Sequence, residues 1–194
     1  MVENKIEGGS LQWKTLSSEY LFTDTWLRAR KDTCERPDGK IIEPYYVMEY
    51  PEWVAGVGLT ADGEVILIRQ YRHALGEECI ELPGGCVDAT DENYEQAMRR
   101  EFLEETGYSF KTAEYLGRTS ANPSTNANTL HMFLLTGGEK MHEQQLDSNE
   151  EIQVFSVGFD QFRQLVTDNA FIQSMHVTTI FYALMKLEKL QFQL

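Results

Sequence analysis

The stretch Arg99–Tyr108, RREFLEETGY, crowds Glu101, Glu104 and Glu105 into the close of an amphipathic helix, and no other feature restricts the fold as much. The segment Asp91–Thr106 predicts that helix. Thr90 or Asp91 can cap it, Asp91 and Glu92 sit near its positive end, and Gly107 is placed to stop it in the left-handed conformation. At roughly 100° per residue, Tyr94, Ala97, Met98 and Phe102 form one apolar face. Glu101 and Glu105 fall inside the same sector, one turn apart, and Glu104 lies at its edge. Three local rules oppose this. Like charges at i,i+4 repel, carboxylates in a last turn oppose the helix dipole, and charges on a core-facing stripe lose solvation. A bound divalent cation removes all three objections, and oxygen-only ligands suit Mg²⁺ or Mn²⁺ rather than zinc. The alternative is a solvated acidic patch, against which the apolar sector weighs.

The rest of the chain reads as strands with few helices. YLFTDTWLRARKDTC (20–34) alternates as a strand, RPDGK (36–40) is a turn, and IIEPYYVMEY (41–50) returns. WVAGVGLT (53–60) and EVILIRQYR (64–72), joined by Ala61-Asp62-Gly63, predict a second hairpin. A glycine-rich turn follows at LPGG (82–85), ahead of the glutamate helix. Strands are expected at 114–120, 129–136 and 151–158, and helices at Phe159–Thr167 and Ile172–Leu190. The elements lack regular βαβ alternation, so an α/β (α+β) chain with a mixed sheet and flanking helices is expected. The 194 residues suit one main domain at 51–194 and a β extension at 1–50.

Seventeen basic against thirty-one acidic side chains give a net charge of −14, which disfavours nucleic acid and anionic membrane surfaces as partners. An anionic substrate would need cations to approach. Three cysteines without metal-site spacing fit a reducing compartment, and the polar start MVENKIEGGS has no apolar signal region. A cytoplasmic protein is expected.

The glutamate helix resembles the signature of the Nudix hydrolases, G-x5-E-x7-R-E-U-x-E-E-x-G-U. Glu92, Arg100-Glu101-Phe102, Glu104-Glu105, Gly107 and Tyr108 match it, with six residues instead of five between Gly85 and Glu92. The resemblance implies an α/β/α sandwich and metal-dependent hydrolysis of a nucleoside diphosphate linked to another moiety. It implies Glu101, Glu104 and Glu105 as metal ligands and catalytic residues, the Gly84 carbonyl as a backbone ligand, Arg100 as their orienting group and Glu92 in a structural or outer role.

Within the family, RQYRHALGEECIELPGG (69–85), the antiparallel extension before residue 50 and Pro123 look like the ADP-ribose and nucleotide-sugar pyrophosphatases. That branch implies a homodimer built with the extension, and an ADP-ribose-like substrate cleaved to a nucleoside monophosphate and a sugar phosphate. GDP- or UDP-sugars stay open because ANPSTNANTLHMF (121–133) lacks the Pro-Gly and acidic residue often seen there. So does a sensing domain without catalysis, although such domains tend to lose glutamates that this chain keeps. Arg72 is the candidate phosphate contact, or else an ordinary surface arginine. Trp53, Trp26 and Tyr46 are candidates to stack on a base, or core aromatics. Glu150, ahead of Glu151 in LDSNEEIQV (146–154), is the candidate general base.

Overall fold

A computed structural model describes residues 9–147 and 150–190; residues 148 and 149, inside the expected base-bearing segment, lie outside the described residues. The chain divides into two compact units, Met1–Tyr50 with Asn122–Ala127, and Pro51–Ala121 with Asn128–Leu194.

The first unit is an antiparallel sheet of β1 (Lys14–Thr23), β2 (Arg28–Glu35) and β3 (Ile41–Glu49), in that spatial order. The extension is antiparallel as expected but gains a strand. The alternating run 20–34 is not continuous, because Asp24 Oδ1 accepts from the backbone N–H groups of Trp26 (2.8 Å) and Leu27 (2.9 Å). That local side-chain turn reverses the chain where alternation alone predicts extension. Asn122–Ala127 joins this sheet: Met48 N donates to Thr125 O at 2.7 Å, Ala127 N to Met48 O at 2.9 Å, and Tyr45 OH to Ser124 O at 2.8 Å. Every residue of β1 is exposed.

The second unit is built on a mixed sheet ordered β11-β5-β4-β10-β8, where β4 is Trp53–Thr60, β5 Val65–Arg72, β8 Tyr108–Ser109, β10 Leu130–Lys140 and β11 Ile152–Val157. β4 and β10 run parallel, while β11 and β5 run antiparallel. β9 (Thr112–Thr119) pairs with β10. The expected hairpin of β4 and β5 is present, but the two strands pair only at Gly58–Ile66 and Leu59–Val65 before they diverge. Into the gap run β6 (Glu77–Glu81), paired with β5, and β7 (Gly84–Cys86), paired with β4. The glycine turn is thereby wedged into a split in the sheet.

Strand residues alternate between two faces. Val54, Ile66, Phe133 and Leu135 pack with Ala97, Met98 and Phe102 of α1 (Tyr94–Thr106). Val57, Val65, Leu67 and Leu134 face the other way, against Phe162 of α2 (Phe159–Thr167) and Ile180 and Ala183 of α3 (Ser174–Lys186). Phe102 is fully buried, which for such a side chain contributes about 1.5–3 kcal/mol of transfer free energy. Among the described residues no helix is long and apolar enough to cross a membrane.

Candidate active site

α1 starts later than its sequence suggests. Asn93, not Thr90 or Asp91, is the N-cap: its side chain accepts from Gln96 N at 2.9 Å, and Gln96 Oε1 accepts from Glu92 N at 2.6 Å. The arrangement resembles a capping box, except that the Gln96 side chain reaches the N–H of Glu92, one residue before the N-cap. Asp91 is drawn away by Arg100, whose Nε and Nη2 donate to its two carboxylate oxygens at 3.1 and 2.9 Å. The guanidinium fork holds the Asp91 carboxyl below its usual range. Counted five residues on from Gly85, Asp91 occupies the position at which the signature places its glutamate; Glu92 makes only the backbone contact just given. The extra residue thus falls between Asp91 and Arg100. That count was available in the sequence.

The same Arg100 gathers the glutamates. Nη1 donates to Glu101 Oε1 and to Glu104 Oε2, each at 3.0 Å, while Nη2 also donates to the Cys86 carbonyl at 2.9 Å. Glu105 is buried and accepts from Gly84 N at 2.8 Å. Gly84 has φ +156°, and a Cβ there would lie 2.2 Å from Val54 O. At Gly85 a Cβ would meet Glu101 Oε2 at 2.5 Å, so the loop backbone comes against the carboxylates only because both positions are glycine.

Burial pushes the Glu101 carboxyl up to about 7, with Arg100 opposing and Glu104 and Glu150 adding repulsion. Burial raises Glu105 well above the carboxylate range; the Gly84 N–H opposes this, and Glu101 and Glu150 reinforce it. Glu150, on a separate segment, acts electrostatically on both Glu101 and Glu105. Its own carboxylate accepts from Asp147 N at 3.1 Å. Arg100 holds Glu101 and Glu104, and among the described residues no three His, Cys, Asp or Glu side chains converge on one point. The donor set still suits a hard cation. It is all oxygen, it runs from buried Glu105 to the half-exposed Glu104, and one guanidinium faces several carboxylates.

Arg72 is more than a surface arginine. Nε and Nη2 donate to Glu81 Oε1 and Oε2 at 2.9 and 2.5 Å, Gln70 Nε2 donates to Glu81 at 3.2 Å, and Glu81 is 2% exposed. The Arg72 side chain stays 41% exposed and acts electrostatically on Glu105. Glu81 went unnoticed in the sequence, since nothing local marks a strand glutamate as buried. Behind it, His176 Nδ1 of α3 accepts from Leu82 N at 3.3 Å, and burial lowers this imidazole to about 4. Trp53 is half-buried and packs against Ala55, Leu130 and Met132. Trp26 and Tyr46 are exposed in the N-terminal unit, and Pro123 belongs to that unit too. The fold brings together Glu101, Glu104, Glu105, Gly84, Glu150 and Arg72.

With this geometry in place, comparison with known proteins gives a consistent outcome. A family model described as the NUDIX domain matches residues 51–175, and one described as the nucleoside diphosphate sugar hydrolase N-terminal domain matches residues 13–48. The chain is 28% identical over 185 residues to an ADP-ribose pyrophosphatase of Bacillus subtilis (strain 168), covering 95% of this chain and 98% of that protein. It is 24% identical over 176 residues to a methanol dehydrogenase activator of Bacillus methanolicus, covering 90% and 94%. A crystal structure of an ADP compounds hydrolase shares the fold at a TM-score of 0.80 and 22% identity, over 94% of this chain and 98% of that one.

Proposed function

The chain belongs to the Nudix hydrolase family, and from that premise we propose that it cleaves the pyrophosphate bond of an ADP-ribose-like nucleoside diphosphate sugar to a nucleoside monophosphate and a sugar phosphate. The observation that carries this reading is the gathering of Glu101 and Glu104 by Arg100 beside buried Glu105, which is held by the Gly84 N–H, with Glu150 acting electrostatically on Glu101 and Glu105 from outside the helix. Glu101, Glu104, Glu105 and the Gly84 carbonyl would hold Mg²⁺ or Mn²⁺, which would supply positive charge to offset the pyrophosphate. Arg100 keeps Glu101 and Glu104 turned toward one side by its two Nη1 bonds. The Gly84 N–H sets the rotamer of Glu105. Glu150 takes the proton of the attacking water as its oxygen joins phosphorus and the bridging P–O bond breaks. Arg72, steadied by Glu81, offers its exposed edge to a phosphate.

A hydrolysis screen over ADP-ribose, GDP- and UDP-sugars with Mg²⁺ tests this reading. ADP-ribose is expected to turn over fastest, with AMP and ribose phosphate as products. Binding without turnover of any of them would favour a sensing domain instead. The protein works as a homodimer in this reading, supported by exposed Leu16, Tyr20, Leu21 and Phe22 along the unpaired edge strand β1. Light scattering at micromolar concentration is expected to give twice the chain mass, and a monomer would refute the assembly.

A further inference from the structure

The last turn of an α-helix leaves carbonyl groups without intrahelical partners. At the end of α1 the chain that follows β10 takes them up. Gln145 N donates to Glu104 O at 2.8 Å, and Met141 N donates to Gly107 O at 2.8 Å. The side chain of Gln144 goes further: Nε2 donates to Glu105 O at 2.6 Å and to Ile152 O at 3.0 Å. Two carbonyls facing one atom decide which end of the amide is the NH₂ group, and both of its hydrogens are used. One acceptor is the backbone of a site glutamate. The other opens β11, two residues beyond Glu150.

Such a tether has a physical purpose. Glu150 is exposed, and it is repelled by Glu101 and Glu105 whenever they are ionised, so electrostatics does not hold it near the cluster. Only a link that is indifferent to that repulsion can hold it near. A neutral amide bonded to two carbonyls is such a link, and it adds no charge to the site. Beside it, Glu150 N donates to Asp147 O at 3.0 Å and Asp147 N donates back to the Glu150 carboxylate at 3.1 Å.

We propose that Gln144 is a positioning residue for hydrolysis, fixing the segment that carries Glu150 to the last turn of the glutamate helix. The inference rests on the reading of Glu150 as the general base. Gln144→Met keeps the length of the side chain and removes both donors. With ADP-ribose and Mg²⁺, its kcat is expected to fall between about 10- and 100-fold, the scale of a misplaced catalytic group. KM and the Mn²⁺ affinity measured by electron paramagnetic resonance are expected to stay unchanged, which a general loosening of α1 would not allow. In a Glu150→Gln background the same substitution is expected to add nothing, since two changes acting through one group are not additive.

An equal loss in both backgrounds, an unchanged kcat, or a parallel loss of Mn²⁺ affinity would each overturn the proposal. Failure of the base reading looks different: Glu150→Gln alone would then keep near-normal kcat, and the role of Gln144 would fall with it. Should Gln144→Met not fold, Gln144→Asn reaches only one carbonyl. It is expected to give a smaller loss with the same dependence on Glu150, and an equal loss in both backgrounds would again refute the tether.

Discussion

Two thirteen-residue helices, α1 and α3, cover opposite faces of one sheet, and they obey different rules. α3 is held by what it buries. Its N-cap residue Gln173 makes no side-chain cap bond, its first turn has no acid, and Lys186 in its last turn suits the dipole and pairs with Glu114. α1 is the reverse. Asn93 and Gln96 tie its start, Gly107 at φ 74° closes its end through a bond to Leu103 O, and its last turn then carries Glu104 and Glu105 against the dipole. Strong ends hold a helix whose charges work against it. The violations on α1 all lie where it meets Gly84 and Gly85, so the local cost is concentrated at the site.

The largest test of this contrast is removal of divalent ions. Turnover is expected to vanish in excess chelator and to return with Mg²⁺ or Mn²⁺; full activity in chelator would leave the α1 charges without a purpose. Next comes Glu105→Gln, which keeps the acceptor for Gly84 N–H and loses the charge. kcat is expected to fall about 10²- to 10³-fold, the range for removing one electrostatic contact to the transition state. The melting temperature of the metal-free variant is expected to equal or exceed that of the parent, because a buried like-charge contact is relieved. A collapse of melting temperature would make Glu105 a structural residue, no different in kind from those of α3.

The third test probes α3 through pH. His176 titrates near 6.5 when unfolded and at about 4 when folded, so the unfolded chain binds the extra proton between those values. Its contribution is complete above about pH 6.5 and lost as pH falls through about 4. The difference is on the order of 3 kcal/mol. The stability gap between the parent and His176→Leu in urea melts is expected to shrink as pH falls over that window; a gap independent of pH would show that His176 titrates alike in the folded and unfolded chain. The smallest effect separates the helix starts. Asn93→Ala is expected to cost about 1 kcal/mol in urea melts. Gln173→Ala is expected to stay within about 0.5 kcal/mol, having no cap bond to lose. Equal costs would erase the distinction.

The difference between the helices also explains what sequence could disclose. The end of α1 was legible because glycine at Gly107 and the 3.6-residue sector of Ala97, Met98 and Phe102 are local signals. α2 was legible for the same reason, and it spans Phe159–Thr167 as expected. The start of α1 was not. Asp91 is as good a cap by type as Asn93, and only the distant Arg100 fork decides between them. Glu81 and Gln144 gave no warning for a related cause: their partners, Arg72 and the carbonyls of Glu105 and Ile152, are joined to them by the fold and not by spacing. Glu150 was placed by aligning on the strand it precedes, and that strand, β11, does open at Ile152. For Pro123, the deciding fact was that its loop joins β3, which no pattern within 121–133 encodes.

That loop limits how such a chain can be cut and recombined. Asn122–Ala127 leaves the hydrolase sequence, bonds to Met48 and Tyr45 within the amino-terminal unit of which it is part, and returns. A single truncation at residue 50 would strip three hydrogen-bond partners from a segment that stays behind. Neither unit is therefore an excisable module. Gene fusion that swaps one amino-terminal extension for another inherits a mismatched loop some seventy residues downstream, and a chimaera library must exchange 122–127 together with 1–50.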